Sequence, residues 1–217
     1  MPDLVQRTLT QYKASPDLAM KLAIPINDPQ TLTLALDRGA NPTIGLPLAV
    51  KASNAAMVEN LLVRGADANS GLLPAVESGN DQIIDILLAR GANPNPAMGF
   101  AVERQKVSLV RRLLAAKAIP TDQFILGLAG RIGNMEVINM LLEAGGHPTS
   151  IIGGAIEERN YDLTKYLLDK GADAKYGEFM ETAVTVRDVR ILNLLLERGA
   201  DPAKGVLGAV QSGNAQI

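Results

Sequence analysis

Apolar and polar positions along the chain fall into two spacings that keep returning together. In residues 70–93, SGLLPAVESGNDQIIDILLARGAN, Leu72, Ala75 and Val76 stand at i, i+3 and i+4, the spacing of one helix face. Gly79 then interrupts the pattern. Asn80 is placed to cap a second helix by accepting a backbone N–H bond. That helix carries Ile83, Ile84, Leu87 and Leu88 as an apolar stripe and stops at Gly91. The unit predicted is helix, tight turn, helix, loop.

The same unit recurs. Gly39, Gly65, Gly91, Lys117, Gly145, Gly171 and Gly199 follow one another at 26 or 28 residues, with LLAAKAIP aligning on LLARGANP without a gap. Sixteen residues before each lies an alanine: Ala23, Ala49, Ala75, Ala101, Ala129, Ala155 and Ala183, with Ala209 opening an eighth copy. A β-branched residue usually follows the alanine, Gly130 being the exception. Capping residues equivalent to Asn80 are Asp28, Asn54, Asn134, Asn160, Asp188 and Asn214. Helices of about three turns are marginal alone, so the units must bury one another's apolar faces by stacking. The fold class predicted is all-α, an α-solenoid of stacked helix-turn-helix repeats. The alanine has a packing task in it: a small residue lets two helices approach closely.

The pattern A-V-x-x-G-N-x-x-I-I-x-x-L-L-x-x-G-A resembles the ankyrin repeat. Gly79-Asn80 stands where that family has Gly-His, and Leu87-Leu88 with Gly91-Ala92-Asn93 matches its LL…GAD segment. The likeness covers roughly residues 17–217. The family's helix-opening T-P-L-H is absent, Ser70-Gly71-Leu72-Leu73 standing in its place, and the 26-residue period is shorter than the family's, which is about 33 residues. The missing length is expected in the connections, giving short loops with little or no β-hairpin.

The domain reading is an N-terminal capping helix within 1–16 and an ankyrin-like array over 17–217, seven helix pairs plus an incomplete eighth. In the cap, Val5 and Leu9 match Ile83 and Leu87, while Gln6 and Thr10 replace Ile84 and Leu88, as suits a terminal helix facing water. Ser15-Pro16-Asp17 reads as a helix start with proline at the first helical position. At the other end Ile217 aligns with Ile83, so Val206, Ala209 and Val210 would lack their covering helix. The expectation is a natural chain that continues further.

Composition narrows the function classes. A net charge of −2 and 3% aromatic residues supply neither a field for nucleic acid nor stacking platforms for bases. No apolar run reaches the roughly 18 residues of a membrane span, and MPDLVQRTLT is not built like a signal peptide. Zero cysteines remove disulfides, thiolate ligands and a cysteine nucleophile; a cytoplasmic setting is the default. His147, the single histidine, aligns with Asn93 and reads as a turn residue. No metal-ligand spacing, cofactor motif or catalytic set is present. ILGLAGRIG, residues 125–133, has no strand before it and is not read as a phosphate loop.

What varies between copies is the expected binding surface. In ankyrin-like arrays the first helices and loops form a concave face that commonly binds proteins. The outward positions following each alanine include Glu77, Glu103, Arg104, Arg131 and Glu158. Two connections, 118–126 and 172–180, are two residues longer than the rest and hold Phe124, Tyr176 and Phe179. Aromatic residues are enriched among binding hot spots; alternatively these rings pack beneath their own loops. The function predicted is a non-enzymatic protein-interaction module without a cofactor, its partner an unidentified protein rather than nucleic acid or membrane. A monomer is expected, with self-association through the uncovered C-terminal end left open. The alternative is the repeat arm of a larger enzyme or host-directed effector.

Overall fold

A computed structural model describes residues 15–205. The predicted capping helix and the residues from Val206 onward, Ala209, Val210, Asn214 and Ile217 included, lie outside them. Among the described residues there is no strand, and besides a helical stretch over 202–205 there are fourteen complete helices. In pairs they are α1 (Pro16–Ala23) and α2 (Pro29–Asp37), α3 (Pro42–Lys51) and α4 (Ala55–Val63), α5 (Asn69–Ser78) and α6 (Asp81–Ala89), α7 (Asn95–Glu103) and α8 (Val107–Ala115). They continue with α9 (Gln123–Ile132) and α10 (Met135–Glu143), α11 (Pro148–Glu157) and α12 (Tyr161–Asp169), α13 (Gly177–Thr185) and α14 (Val189–Glu197). The fold is the all-α, helix-turn-helix repeat architecture expected.

The recurrent RGA phrase has a specific backbone role. Gly91 N–H donates to the Leu88 carbonyl and Ala92 N–H to the Leu87 carbonyl, both at 3.0 Å. These are the paired bonds of a Schellman motif. All seven copies make the second bond, from Ala40 to Ala35 through Ala200 to Leu195, at 2.8–3.0 Å. The motif needs a left-handed residue at its pivot. The six glycines there have φ between 85° and 96°, and Lys117 takes up the same role at φ 65°.

First helices end on a similar device. The anchor alanine's carbonyl accepts the N–H of the next helix's cap, as Ala75 does from Asn80 at 3.1 Å, except in α9, where the Ala129 carbonyl accepts from Gly133 N–H instead. The predicted caps then close the second helix: Asn80 accepts from Ile83 N–H, Asn134 from Glu136 and Val137, Asp188 from Arg190 and Ile191. Asp28, Asn54 and Asn160 do the same. Lys106, at this position in the fourth copy, makes no side-chain cap.

The described residues form two compact units, one up to Ala97 and one from Met98. In the first, α1, α3 and α5 pack in succession, and α4 packs on α6. In the second, α9, α11 and α13 pack in succession, as do α8 with α10 and α12 with α14. The anchor alanines from Ala23 to Ala183 are all 0–2% exposed. On the second helices Ile83, Ile84 and Leu87 are buried as expected, while Leu88 is only half-buried, because the fourth stripe position lies at the edge of the packed face.

Helices α9 and α11 approach most intimately. A Cβ on Gly130 would overlap the Ile151 carbonyl oxygen and lie 3.0 Å from its carbon and 3.2 Å from Ala155 N. A Cβ on Gly154 would overlap the Gly127 carbonyl oxygen and stand 2.6 Å from Arg131 N. The ILGLAGRIG stretch is therefore a helix whose Gly130 is a close-packing residue. The break in the β-branched column at this position has a steric cause.

Polar side chains also tie successive copies across the loops. Asp17 accepts from Asn41 N–H, Thr43 from Asp67, Asn69 from Asn93 and Thr149 from Asp173, at 2.7–3.0 Å. Each bond satisfies a loop donor that no helix supplies with a partner.

Candidate functional site: a groove across three first helices

In the second unit, α9, α11 and α13 line a groove of about 320 Å³. Its base is made by glycine: Gly127 from α9, with Gly153 and Gly154 from α11. The position two before the anchor alanine is Lys21, Pro47, Leu73 or Glu181 in other copies, but glycine at 99, 127 and 153. The two glycines in the groove leave open what a side chain would otherwise fill.

Aromatic rings form its walls. Phe124 is 70% exposed and Tyr176 is 52% exposed, whereas Phe179 is 6% exposed. Tyr176 and Phe179 rest together with ring centroids 5.3 Å apart and planes tilted by 39°. Phe124 and Phe179, expected within longer loops, lie instead in the first turns of helices α9 and α13. For Phe124 the reason is Asp122, whose carboxylate accepts from Phe124 N–H at 2.8 Å and Ile125 N–H at 3.4 Å, starting the helix earlier. The extra length falls in residues 116–122 and 170–176.

Tyr176 is held by its loop. Thr149, which lines the groove, accepts from Asp173 N–H at 2.9 Å, and Asp173 accepts from Lys175 N–H at 3.0 Å. The Tyr176 carbonyl then accepts from Phe179 N–H at 3.1 Å. The exposed ring thus stands on a hydrogen-bonded turn.

Three charged side chains line the groove. Arg131 and Glu157 pair across α9 and α11 at 3.4 Å, with their side chains 40% and 48% exposed. Glu178, in the first turn of α13, is exposed and pairs with no cation among the described residues. Gln123, Thr149 and Ser150 add polar groups.

Of the eight residues singled out from sequence, the structure brings Phe124, Arg131, Tyr176 and Phe179 to this one groove. Glu103 and Arg104 are exposed at the end of α7, Arg104 lying over the Phe100 ring at 5.7 Å, and Glu158 is exposed just after α11. Glu77 is exposed on α5 in the other unit. Gly127, Gly153, Gly154 and Glu178 were not singled out as site residues. The glycine column at 99, 127 and 153 was the available signal for two of them.

His147 caps α11: its Nδ1 accepts from Thr149 N–H at 3.3 Å. Among the described residues no group of three or more histidine or acidic side chains is placed to hold a metal ion. No helix there is long and apolar enough to cross a membrane.

Comparisons with known proteins agree on the fold. The chain is similar to the ankyrin repeat domain of Bcl-3, described as a unique member of the IkappaB protein family, with 22% identity and a TM-score of 0.58. That match covers 75% of this chain and 88% of the other. It is also similar to an ankyrin repeat protein from Leishmania major, with 15% identity and a TM-score of 0.59, covering 85% of this chain and 82% of the other. No family model and no curated protein matches it. The fold is that of the ankyrin repeat.

Proposed function

We propose that this ankyrin-repeat chain is a protein-interaction module that engages a partner polypeptide through its first-helix face and loop rim, without chemistry of its own. The observation carrying this reading is the groove on α9, α11 and α13. Two aromatic rings stand exposed beside a glycine base, with polar groups around them. Large, stiff amphipathic rings in a concavity are what binding hot spots are made of. Phe124 and Tyr176 are the anchors, and Phe179 supports Tyr176 from beneath. Arg131 contributes at the groove's edge. Glu77, Glu103, Arg104 and Glu158 are surface positions from which a larger partner would gain specificity.

The test is affinity capture from cells with the wild-type chain and a Phe124→Ala/Tyr176→Ala variant as paired baits. The variant is expected to lose specific partners while its melting temperature stays within about 2 °C of wild type, since exposed substitutions are usually worth under about 0.5 kcal/mol. Phe179→Ala, by contrast, removes a buried ring and should lower stability by about 3 kcal/mol. The same partners on both baits would refute the assignment of this face.

A further inference from the structure

The geometry points to a basic side chain, lysine or arginine, presented by an extended segment of the partner polypeptide, as the occupant of the α9–α11–α13 groove. This inference rests on the interaction reading above and adds the chemistry of its ligand.

Three features select that occupant. The first is charge. Of the groove's three ionic side chains Arg131 is engaged by Glu157 at 3.4 Å, which leaves Glu178 with no cation beside it. An incoming cation supplies the missing partner, and an incoming carboxylate meets two glutamates and a guanidinium already committed. The second is the aromatic wall. Phe124 and Tyr176 stand exposed at the groove, and aromatic rings attract an ammonium or guanidinium through the ring quadrupole. Among the described residues four such contacts already fall on three rings: Arg104 and Lys106 over Phe100, Lys170 over Tyr166 and Arg190 over Tyr161, at 5.4–5.7 Å. Tyr176 and Phe124, the most exposed of the described rings, carry no such cation of their own among the described residues. The third is shape. A lysine or arginine brings a slender apolar stem below its charged head. Gly127 and Gly153 leave a base without side chains on which such a stem lies, while the head reaches Glu178 and the rings. A bulky branched residue would fill the base but leave Glu178 unanswered.

The experiment selects a phage-displayed library of random 12-residue peptides on the full chain, counter-selected on Gly153→Leu. A leucine there projects into the groove; the Cβ position itself meets only the Phe179 ring, at 3.5 Å. Tyr176→Ala, an exposed substitution, serves as the second groove-defective variant, and thermal melting verifies the fold of both. Enriched peptides are synthesised with fluorescein and titrated by anisotropy. The expected result is one lysine or arginine fixed in register in every enriched peptide. Replacing it by norleucine, which keeps the stem and removes the charge, should weaken binding about tenfold. Glu178→Gln should weaken it about threefold to fivefold, an effect that shrinks at 0.5 M salt. Peptides that lose binding on Gly153→Leu and Tyr176→Ala yet tolerate norleucine overturn the basic occupant and leave the groove a binding site. Peptides indifferent to both variants, or no enrichment over Gly153→Leu, overturn the groove and the occupant together.

Discussion

Three glycines on two touching helices should respond to one added methyl group in opposite directions. At Gly130 the new Cβ would overlap the backbone carbonyl of Ile151 and crowd Ala155 N. Neither neighbour is the free end of a side chain, so relief requires α9 and α11 to part. Overpacking of a rigid core costs about 1–3 kcal/mol, and a backbone obstacle places this case at the upper end. Against that stands the helix-propensity gain of alanine over glycine, roughly 0.5–1 kcal/mol. Gly130→Ala should therefore destabilise by about 2–2.5 kcal/mol net. At Gly127 the nearest atom to a Cβ is Ser150 O at 3.8 Å, and at Gly153 it is Phe179 Cε1 at 3.5 Å, both ordinary contacts. Gly127→Ala and Gly153→Ala should each stabilise by about 0.5–1 kcal/mol. Urea titrations followed by far-UV circular dichroism, with the midpoint and slope fitted separately, report the signs. Equal responses at all three glycines, or a Gly130→Ala variant as stable as wild type, would refute the close-approach argument.

Other consequences follow from the same geometry. Lys117 holds a left-handed conformation at φ 65° where its six counterparts are glycine; Lys117→Gly should raise stability by about 0.5–1 kcal/mol, read as an increased urea midpoint. Burial alone would raise the carboxyl of Asp28, but hydrogen bonds from the Thr31 hydroxyl and from Thr31 and Gln30 N–H outweigh it and hold it below its ordinary value. Burial likewise opposes, and bonds from Ile191 N–H and from the Arg190 side chain and N–H overcome, at Asp188. Both groups thus bind protons less readily folded than unfolded, so their contribution is full above about pH 4 and is lost as pH falls through the folded values. Thermal melts from pH 6 to pH 2.5 should show this acid loss reduced in Asp28→Asn/Asp188→Asn, whose amides keep the cap but do not titrate. Removing the Thr149 hydroxyl with Thr149→Val leaves Asp173 N–H without its side-chain acceptor. It should cost about 1 kcal/mol and weaken any ligand that contacts Tyr176, checked by melting and by peptide titration.

Much of the architecture was legible because it repeats. A residue type that recurs at one offset through a divergent chain reports a local backbone demand, and local demands are what sequence encodes most openly. Asn80 and its counterparts cap because a side-chain oxygen at that position meets orphan helix donors. Gly91 and its counterparts pivot the Schellman motif. Even Lys117 was placed at the pivot by alignment alone. The helix start at Gln123 was missed because Asp122 interrupts a stretch that the repeat spacing assigns to loop. The bonds from Asp17, Thr43, Asn69 and Thr149 were missed because the donors lie 24 residues away and the acceptor changes type from copy to copy. Sequence proximity carries no trace of such a pairing. The groove was half legible: its exposed rings drew notice by rarity, its base did not, since a missing side chain looks the same whether packing or open space explains it.

That ambiguity is resolved at the glycines themselves. At 130 and 154 the backbone of a neighbouring helix occupies the Cβ position, so the fold demands glycine. At 127 and 153 a methyl group would meet nothing closer than 3.5 Å. Folding would accept alanine there and gain helix stability of roughly 0.5–1 kcal/mol at each. Glycine in a helix interior, exposed to no steric necessity, is a cost that packing does not explain. What the two positions share is the groove, and what their glycines supply is its depth. Gly99, in the same column, is equally open, its Cβ 3.9 Å from Ile125, yet is not among the groove's lining residues; only at 127 and 153 does the missing side chain lie beside Phe124, Tyr176 and Glu178.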